Sequence, residues 1–192
     1  MIEIIVLLAV ILYAITVHEF SHAATADMLG DPTPRMAGRL SLNPLSHIDP
    51  IGFIMLILVR FGWAKPVPIN PYNFRDPVRG EVLVSLAGPL SNFISAWVCA
   101  TIVRFLPADI VMNGYVQLVL SNFIFINLAL GVFNLIPVPP LDGSHLIEPF
   151  LPYEVRESLQ QYGFFILIFI LIFPPTSLLL MQIIRLIYNF IT

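Results

Sequence analysis

The sequence predicts an all-α polytopic membrane protein with about four to six membrane segments, among them a re-entrant or interfacial element and an extended proline-rich stretch. Three observations carry this. Of 192 residues, 58% are hydrophobic and 11% charged, where a soluble domain carries about 25% charged residues. Mean hydropathy is +0.89, so lipid has to act as the solvent for much of this surface. The apolar residues also fall into long runs that end at glycine and proline clusters, as helix termini do.

The first run extends from Ile2 to about Leu29 and stops at Gly30, Pro32 and Pro34. It begins Met1-Ile2-Glu3, without a basic leader or small-residue cleavage site, so a retained helix is expected rather than a removed signal peptide. A loop rich in Gly, Pro and Asn follows to Pro50. Ile51 to Trp63 is apolar but contains Arg60. At ~1.5 Å per residue it reaches roughly 20 Å, short of the ~30 Å hydrocarbon core. A re-entrant or interfacial helix is therefore expected. Ala64 to Arg79 holds Pro66, Pro68, Pro71 and Pro77 and reads as extended or turn-like. Val82–Leu106 and Tyr115–Ile136 read as spanning helices, joined by a polar turn at Pro107–Gly114. Leu141–Gln161 reads as a loop with a short helix. Tyr162–Ile191 is apolar and interrupted at Pro174-Pro175, giving either a kinked span or a tight helical hairpin.

The length fits a single domain, 1–192, with a chemical core at about 1–145 and C-terminal membrane segments at about 162–191. A net charge of -3 and the lack of a basic, aromatic-studded patch argue against nucleic acid. The lone Cys99 excludes an internal disulfide and a cysteine-rich metal site. With Ile51–Trp63 not crossing, Arg35, Arg39, Arg60, Lys65, Arg75, Arg79 and Arg156 share one side, while Pro107–Gly114 has no basic residue. Positive-inside then places the N-terminus outside and these loops in the cytoplasm.

The chemistry starts at His18-Glu19-Phe20-Ser21-His22. Residues four apart share a helix face, so both imidazoles reach one metal, and Glu19 can take a proton from water activated there. Two histidines and a carboxylate inside a membrane helix are costly and mark function. Zinc in a hydrolase uses three protein ligands and one open position. Asp142 is the candidate third ligand, since Leu141-Asp142-Gly143 follows the prolines that end an apolar segment on the same side. On its own, Asp-Gly is also a common turn pair. The site should lie near the cytoplasmic boundary yet within membrane depth. Trp63, Tyr72, Trp97 and Tyr188 include candidate interface anchors.

The chain resembles the site-2 protease family of intramembrane zinc metalloproteases. The matching stretches are the histidine pentad, Gly38–Pro44 with His47–Pro50, Trp63–Pro71, Ala87–Asn92 and Asn134–Gly143. They cover most of residues 5–145, and the last fifty residues match weakly. The sequence shows no PDZ-like or CBS-like stretch, which some relatives carry, so a compact member is expected. It implies zinc on His18, His22 and Asp142, with Glu19 as catalytic base. It also implies that Asn134 lies near the metal, contacting the substrate or the oxyanion. A helix-packing hydrogen bond is the other use for that amide.

Gly88 and Ser91 are small enough for close helix approach, and Asn92 reads as a packing or supporting group. His145 reads as a non-ligand, and His47 with Asp49 as loop structure. The expected activity is hydrolysis of peptide bonds in or near transmembrane segments of protein substrates, within the bilayer, by a multi-pass protein that could also form a homo-oligomer. A helical substrate has to unwind. Val67 and Ile69 are the candidate substrate-binding positions, because Pro66 and Pro68 leave the opposite edge of 64–70 free for main-chain pairing. Two rivals remain. One is a membrane zincin that cuts soluble tails, with a ligand from Glu81, Glu148, Glu154 or Glu157. The other is a non-catalytic metal-binding scaffold.

Overall fold

A computed structural model describes residues 2–59 and 62–192. Arg60, counted above among the basic residues, lies outside them. The chain forms α1 (Ile2–Met28), α2 (Thr33–Met36), α3 (Pro50–Val59), α4 (Pro77–Phe105), α5 (Ala108–Val111), α6 (Gly114–Asn134), α7 (Gly143–Ile147), α8 (Tyr153–Ile172) and α9 (Pro174–Ile191). Among the described residues no strand forms, only an isolated antiparallel bridge between Ile48 and Ala64. Four helices, α1, α4, α6 and α8, are long and apolar enough to cross a membrane. The ten residues of α3 reach only about 15 Å and fall short of a span.

Burial follows the pattern of a protein in lipid. Small and polar side chains are inside: Ala14, Ala23, Ala26, Ala96, Asn92 and Asn127 are all fully buried. Large apolar side chains face out, as at Ile4, Ile5, Leu58, Trp97 and Phe105. Helices α1, α4 and α6 pack on one another, and α9 packs chiefly on α6. Close backbone approach through small residues is how helices associate where lipid removes the hydrophobic drive. Ala96 and Ala100 of α4, Ile124 and Leu128 of α6 and Ile184 of α9 form the main apolar cluster.

Several boundaries differ from the sequence expectation. Helix α4 begins at Pro77, five residues before Val82, because Asp76 caps it by accepting from Arg79 N at 3.1 Å and proline suits the first turn. The polar turn after α4 contains the single helical turn α5. Residues 153–161, read as part of a loop with a short helix, are the first turns of α8. At the Pro174-Pro175 break Phe173 is extended, so two distinct helices form, and α9 turns onto α6.

The C-terminal end of α1 is closed by Gly30 at φ +105°, with Asp31 N bonding Ala26 O (2.9 Å) and Gly30 N bonding Asp27 O (3.1 Å). This turns Asp31 inward, where it is fully buried. Its carboxylate accepts from Thr33 N (3.0 Å), Thr33 Oγ1 (2.5 Å), Asn73 Nδ2 (2.7 Å) and Asn70 N (2.7 Å). The far end of the proline-rich stretch is thereby tied to the end of α1. The near end is tied by Lys65 N to His47 O (2.9 Å), and by the buried Arg39 guanidinium, which donates to Lys65 O and to Pro66 O (2.8 Å). His47 is itself fully buried and donates from Nε2 to Ser41 O at 2.7 Å, while Asp49 receives Gly52 N at the start of α3. Both therefore serve the loop, as expected.

Candidate metal centre

Helix α1 presents His18 and His22 on its buried face. Their Nε2 atoms lie 3.0 Å apart. Asp142 arrives from the turn between α6 and α7, its Oδ2 lying 3.1 Å from His18 Nε2 and 3.4 Å from His22 Nε2. Gly143 makes this possible, since a Cβ there would stand 2.4 Å from Leu135 O and 2.5 Å from Ile136 O. The turn lies directly on the end of α6. Among the described residues, His18, His22 and Asp142 are the group whose ligand atoms all fall within 4.8 Å of one another, and none of Glu81, Glu148, Glu154 or Glu157 belongs to it.

The donor set fits a zinc ion. His22 Nδ1 lies 2.7 Å from Val84 O of α4. A carbonyl oxygen only accepts, so Nδ1 carries a proton, and in the neutral ring Nε2 presents its lone pair to the centre. Asp142 Oδ2 is buried there without a hydrogen-bond partner. Two ring nitrogens and an unpartnered carboxylate oxygen converging on one buried point suit a cation. Two imidazoles and a carboxylate suit zinc and leave a coordination position open.

Helix α4 presses against this group through Gly88, whose hypothetical Cβ would stand 2.3 Å from His22 Nε2 and 2.7 Å from His18 Cε1. His18 Nδ1 faces Asn92 Oδ1 at 2.8 Å. Of the two uses read for Asn92, packing or support, this contact favours support.

The three side chains open into a cavity of about 540 Å³, which Glu19 and Asn134 also line. Asn134 ends α6 and spends one amide hydrogen on Leu130 O at 3.0 Å. Among the described residues, its amide makes no other hydrogen bond. The bond to Leu130 O runs one turn back on its own helix and is not a contact between helices, and Asn134 lines the cavity. Val67 and Ile69 line the same cavity. Among the described residues, neither of their N–H groups donates to another group of the chain. His145 also lines the cavity, 3.6 Å by Nδ1 from Glu148 Oε2, and stays out of the ligand group.

Sequence reasoning missed the contribution of α8. Phe164 and Leu167 wall the cavity, because Gly163 lets α8 lie on the proline turn, where a Cβ would stand 2.4 Å from Pro139 O. Gly163 before Phe164-Phe165 was the available signal. A second, mostly apolar cavity of about 500 Å³ adjoins the first and shares Ile15, Trp63, Ala64, Leu130 and Phe133 with it.

Residues 102–173 match the family described as Peptidase family M50. Over 188 residues the chain is 37% identical to YwhC of Bacillus subtilis (strain 168), whose name marks it as a candidate zinc metalloprotease; the match covers 91% of this chain and 83% of that protein. It is 32% identical to the Rip2 proteins of Mycolicibacterium smegmatis and Mycobacterium tuberculosis (strain H37Rv), similarly named, over 86% and 84% of this chain. The chain spans 66% and 63% of those two. No solved structure matches. At that identity, over most of both chains, the likeness to YwhC is one of family, and the chain belongs to peptidase family M50, the site-2 protease family of membrane zinc metalloproteases.

Proposed function

We propose that the protein hydrolyses peptide bonds in or near transmembrane segments of other proteins, at membrane depth, as a single domain. The depth of the ligand cluster carries the reading. His18 lies ten residues before the end of α1 at Met28, or about 15 Å inside it. The adjoining apolar cavity also supports an apolar substrate.

His18, His22 and Asp142 hold zinc, which when bound supplies Lewis acidity. Glu19 accepts a proton from the attacking water as oxygen bonds to the peptide carbon. It returns that proton to the nitrogen as the C–N bond breaks. An amide hydrogen of Asn134 supports the developing oxyanion. The N–H groups of Val67 and Ile69 pair with the unwound substrate main chain, and the cavity walls exclude bulk water. The excess of basic residues in the loops supports a centre towards the cytoplasm and an N-terminus outside.

The test uses wild type, Glu19→Gln and Asp142→Ala in liposomes containing synthetic transmembrane peptides, with soluble casein added outside. Zinc per chain is measured in parallel. About one zinc in wild type and in Glu19→Gln, with cleavage inside the peptides by wild type alone, is expected; Asp142→Ala should lose the zinc. Cleavage confined to casein would turn the reading to a protease of soluble tails. Full zinc in Asp142→Ala would remove that ligand.

A further inference from the structure

Asn127 is fully buried in α6, and none of the steps above uses it. A buried amide has to match two N–H donors and an oxygen to suitable neighbours. Its Nδ2 donates to Phe123 O at 2.8 Å, one turn back on its own helix. That bond turns Oδ1 towards α4, where it accepts from Asn92 Nδ2 at 3.1 Å. Asn92 Nδ2 also donates to Ala14 O of α1 at 3.0 Å. Both amide hydrogens of Asn92 are thus committed, and its oxygen is left facing His18 Nδ1. An amide oxygen there requires the proton on Nδ1. His18 then carries its lone pair on Nε2, towards His22 and Asp142.

We infer that Asn92 and Asn127 are positioning residues: a hydrogen-bond relay running from α6 through α4 to α1 that fixes the tautomer and ring orientation of His18. The inference rests on the reading of His18 as a zinc ligand. A neutral imidazole has two tautomers, and the wrong one puts a proton where the metal bond has to form. His22 needs no such relay, because the Val84 carbonyl imposes the same tautomer directly. The relay also explains an amide rather than a carboxylate at position 92. That side chain donates to Ala14 O and to Asn127 Oδ1 while accepting from His18. An aspartate would set its oxygen against two acceptors.

The experiment has two readouts, neither of which depends on proteolysis. The first is ¹⁵N NMR of metal-free protein labelled in histidine, which reports the nitrogen that carries the proton. The second is zinc affinity by chelator competition. Wild type should show His18 and His22 both protonated at Nδ1. In Asn127→Leu, His18 should become a tautomer mixture while His22 stays unchanged, and zinc affinity should fall about tenfold. Asn92→Leu should lose about 10–100-fold, the range for removing a ligand's supporting partner. The double variant should be no weaker than Asn92→Leu, since the two act in series. A merely structural role would disturb both histidines and give additive losses, and that result overturns the relay. So does wild-type His18 protonated at Nε2, a measurement that needs no variant to fold. Unchanged zinc affinity in His18→Ala is a different failure, that of the ligand reading itself.

Discussion

Replacing Gly88 by alanine tests how the metal centre is built. The added Cβ would stand 2.3 Å from His22 Nε2, 2.6 Å from His22 Cε1 and 2.7 Å from His18 Cε1. Ordinary contact begins near 3.4 Å, so one of the two groups has to give way by 3.4 − 2.3 = 1.1 Å. The imidazoles cannot retreat freely, because His22 is bonded to Val84 O at 2.7 Å and His18 faces Asn92 Oδ1 at 2.8 Å. Both partners lie on α4, the helix that also carries the new methyl group. Moving α4 away relieves the clash but stretches both bonds. Functional groups need placement to within about 0.5 Å, so a shift of this size exceeds the tolerance. Overpacking of this kind costs about 1–3 kcal/mol of stability. Loss of the partners that orient the ligands lowers zinc affinity about 10–100-fold. The assay is chelator competition on detergent-purified protein, with thermal unfolding as the check on folding. A folded Gly88→Ala protein that binds zinc as tightly as wild type would refute the reasoning, since α4 would then be free to move without cost to the site.

Two further outcomes are expected. Val67→Pro or Ile69→Pro removes one N–H from the free edge beside the cavity and should slow cleavage several-fold or more with zinc content unchanged; undiminished cleavage by both variants would rule out main-chain pairing there. Asp31 gives a pH dependence. Burial pushes its carboxyl up, but hydrogen bonds from Thr33, Asn70 and Asn73 outweigh this and hold it below the ordinary range. The folded value is thus below the unfolded value of about 3.9. Its stabilisation is complete above that pH and is lost as pH falls through the folded value. Asp31→Asn should flatten the unfolding profile below about pH 4 and cost about 1–3 kcal/mol at neutral pH, because Asn70 N–H loses an acceptor. An unchanged acid profile in Asp31→Asn would show that this carboxylate does not control it.

Features local to one segment were legible in the sequence. The four-residue spacing of His18 and His22 put both on one face, and Gly30 marked the end of α1. The start of α8 was hidden because Tyr153-Glu154-Val155-Arg156-Glu157 is polar, and polarity in a membrane chain reads as loop. Its first turns are solvated helix, with Glu154, Val155 and Glu157 exposed. The start of α4 was legible in Asp76-Pro77, a cap followed by a first-turn proline, but four prolines in the same stretch concealed it. The partners of the ligands lay beyond reach for another reason. Val84 meets His22 across 62 positions and Asn92 meets His18 across 74, and no local periodicity encodes such pairings. Asp31 carries no signal in the sequence, because the four bonds it receives come partly from Asn70 and Asn73, about forty positions on.

Helix α1 carries both the histidines and, just past its end, the aspartate that secures Asn70. One rigid rod therefore serves as a gauge between the candidate metal centre and the stretch proposed to hold substrate. Inserting one residue between His22 and Asp31 would advance the anchor by about 1.5 Å and swing it by about 100°. Length in this interval is as constrained as the identity of the ligands. A point substitution on the lipid face of α1 leaves the gauge intact, whereas a single insertion or deletion alters both the reach and the facing of the proline-rich stretch at once.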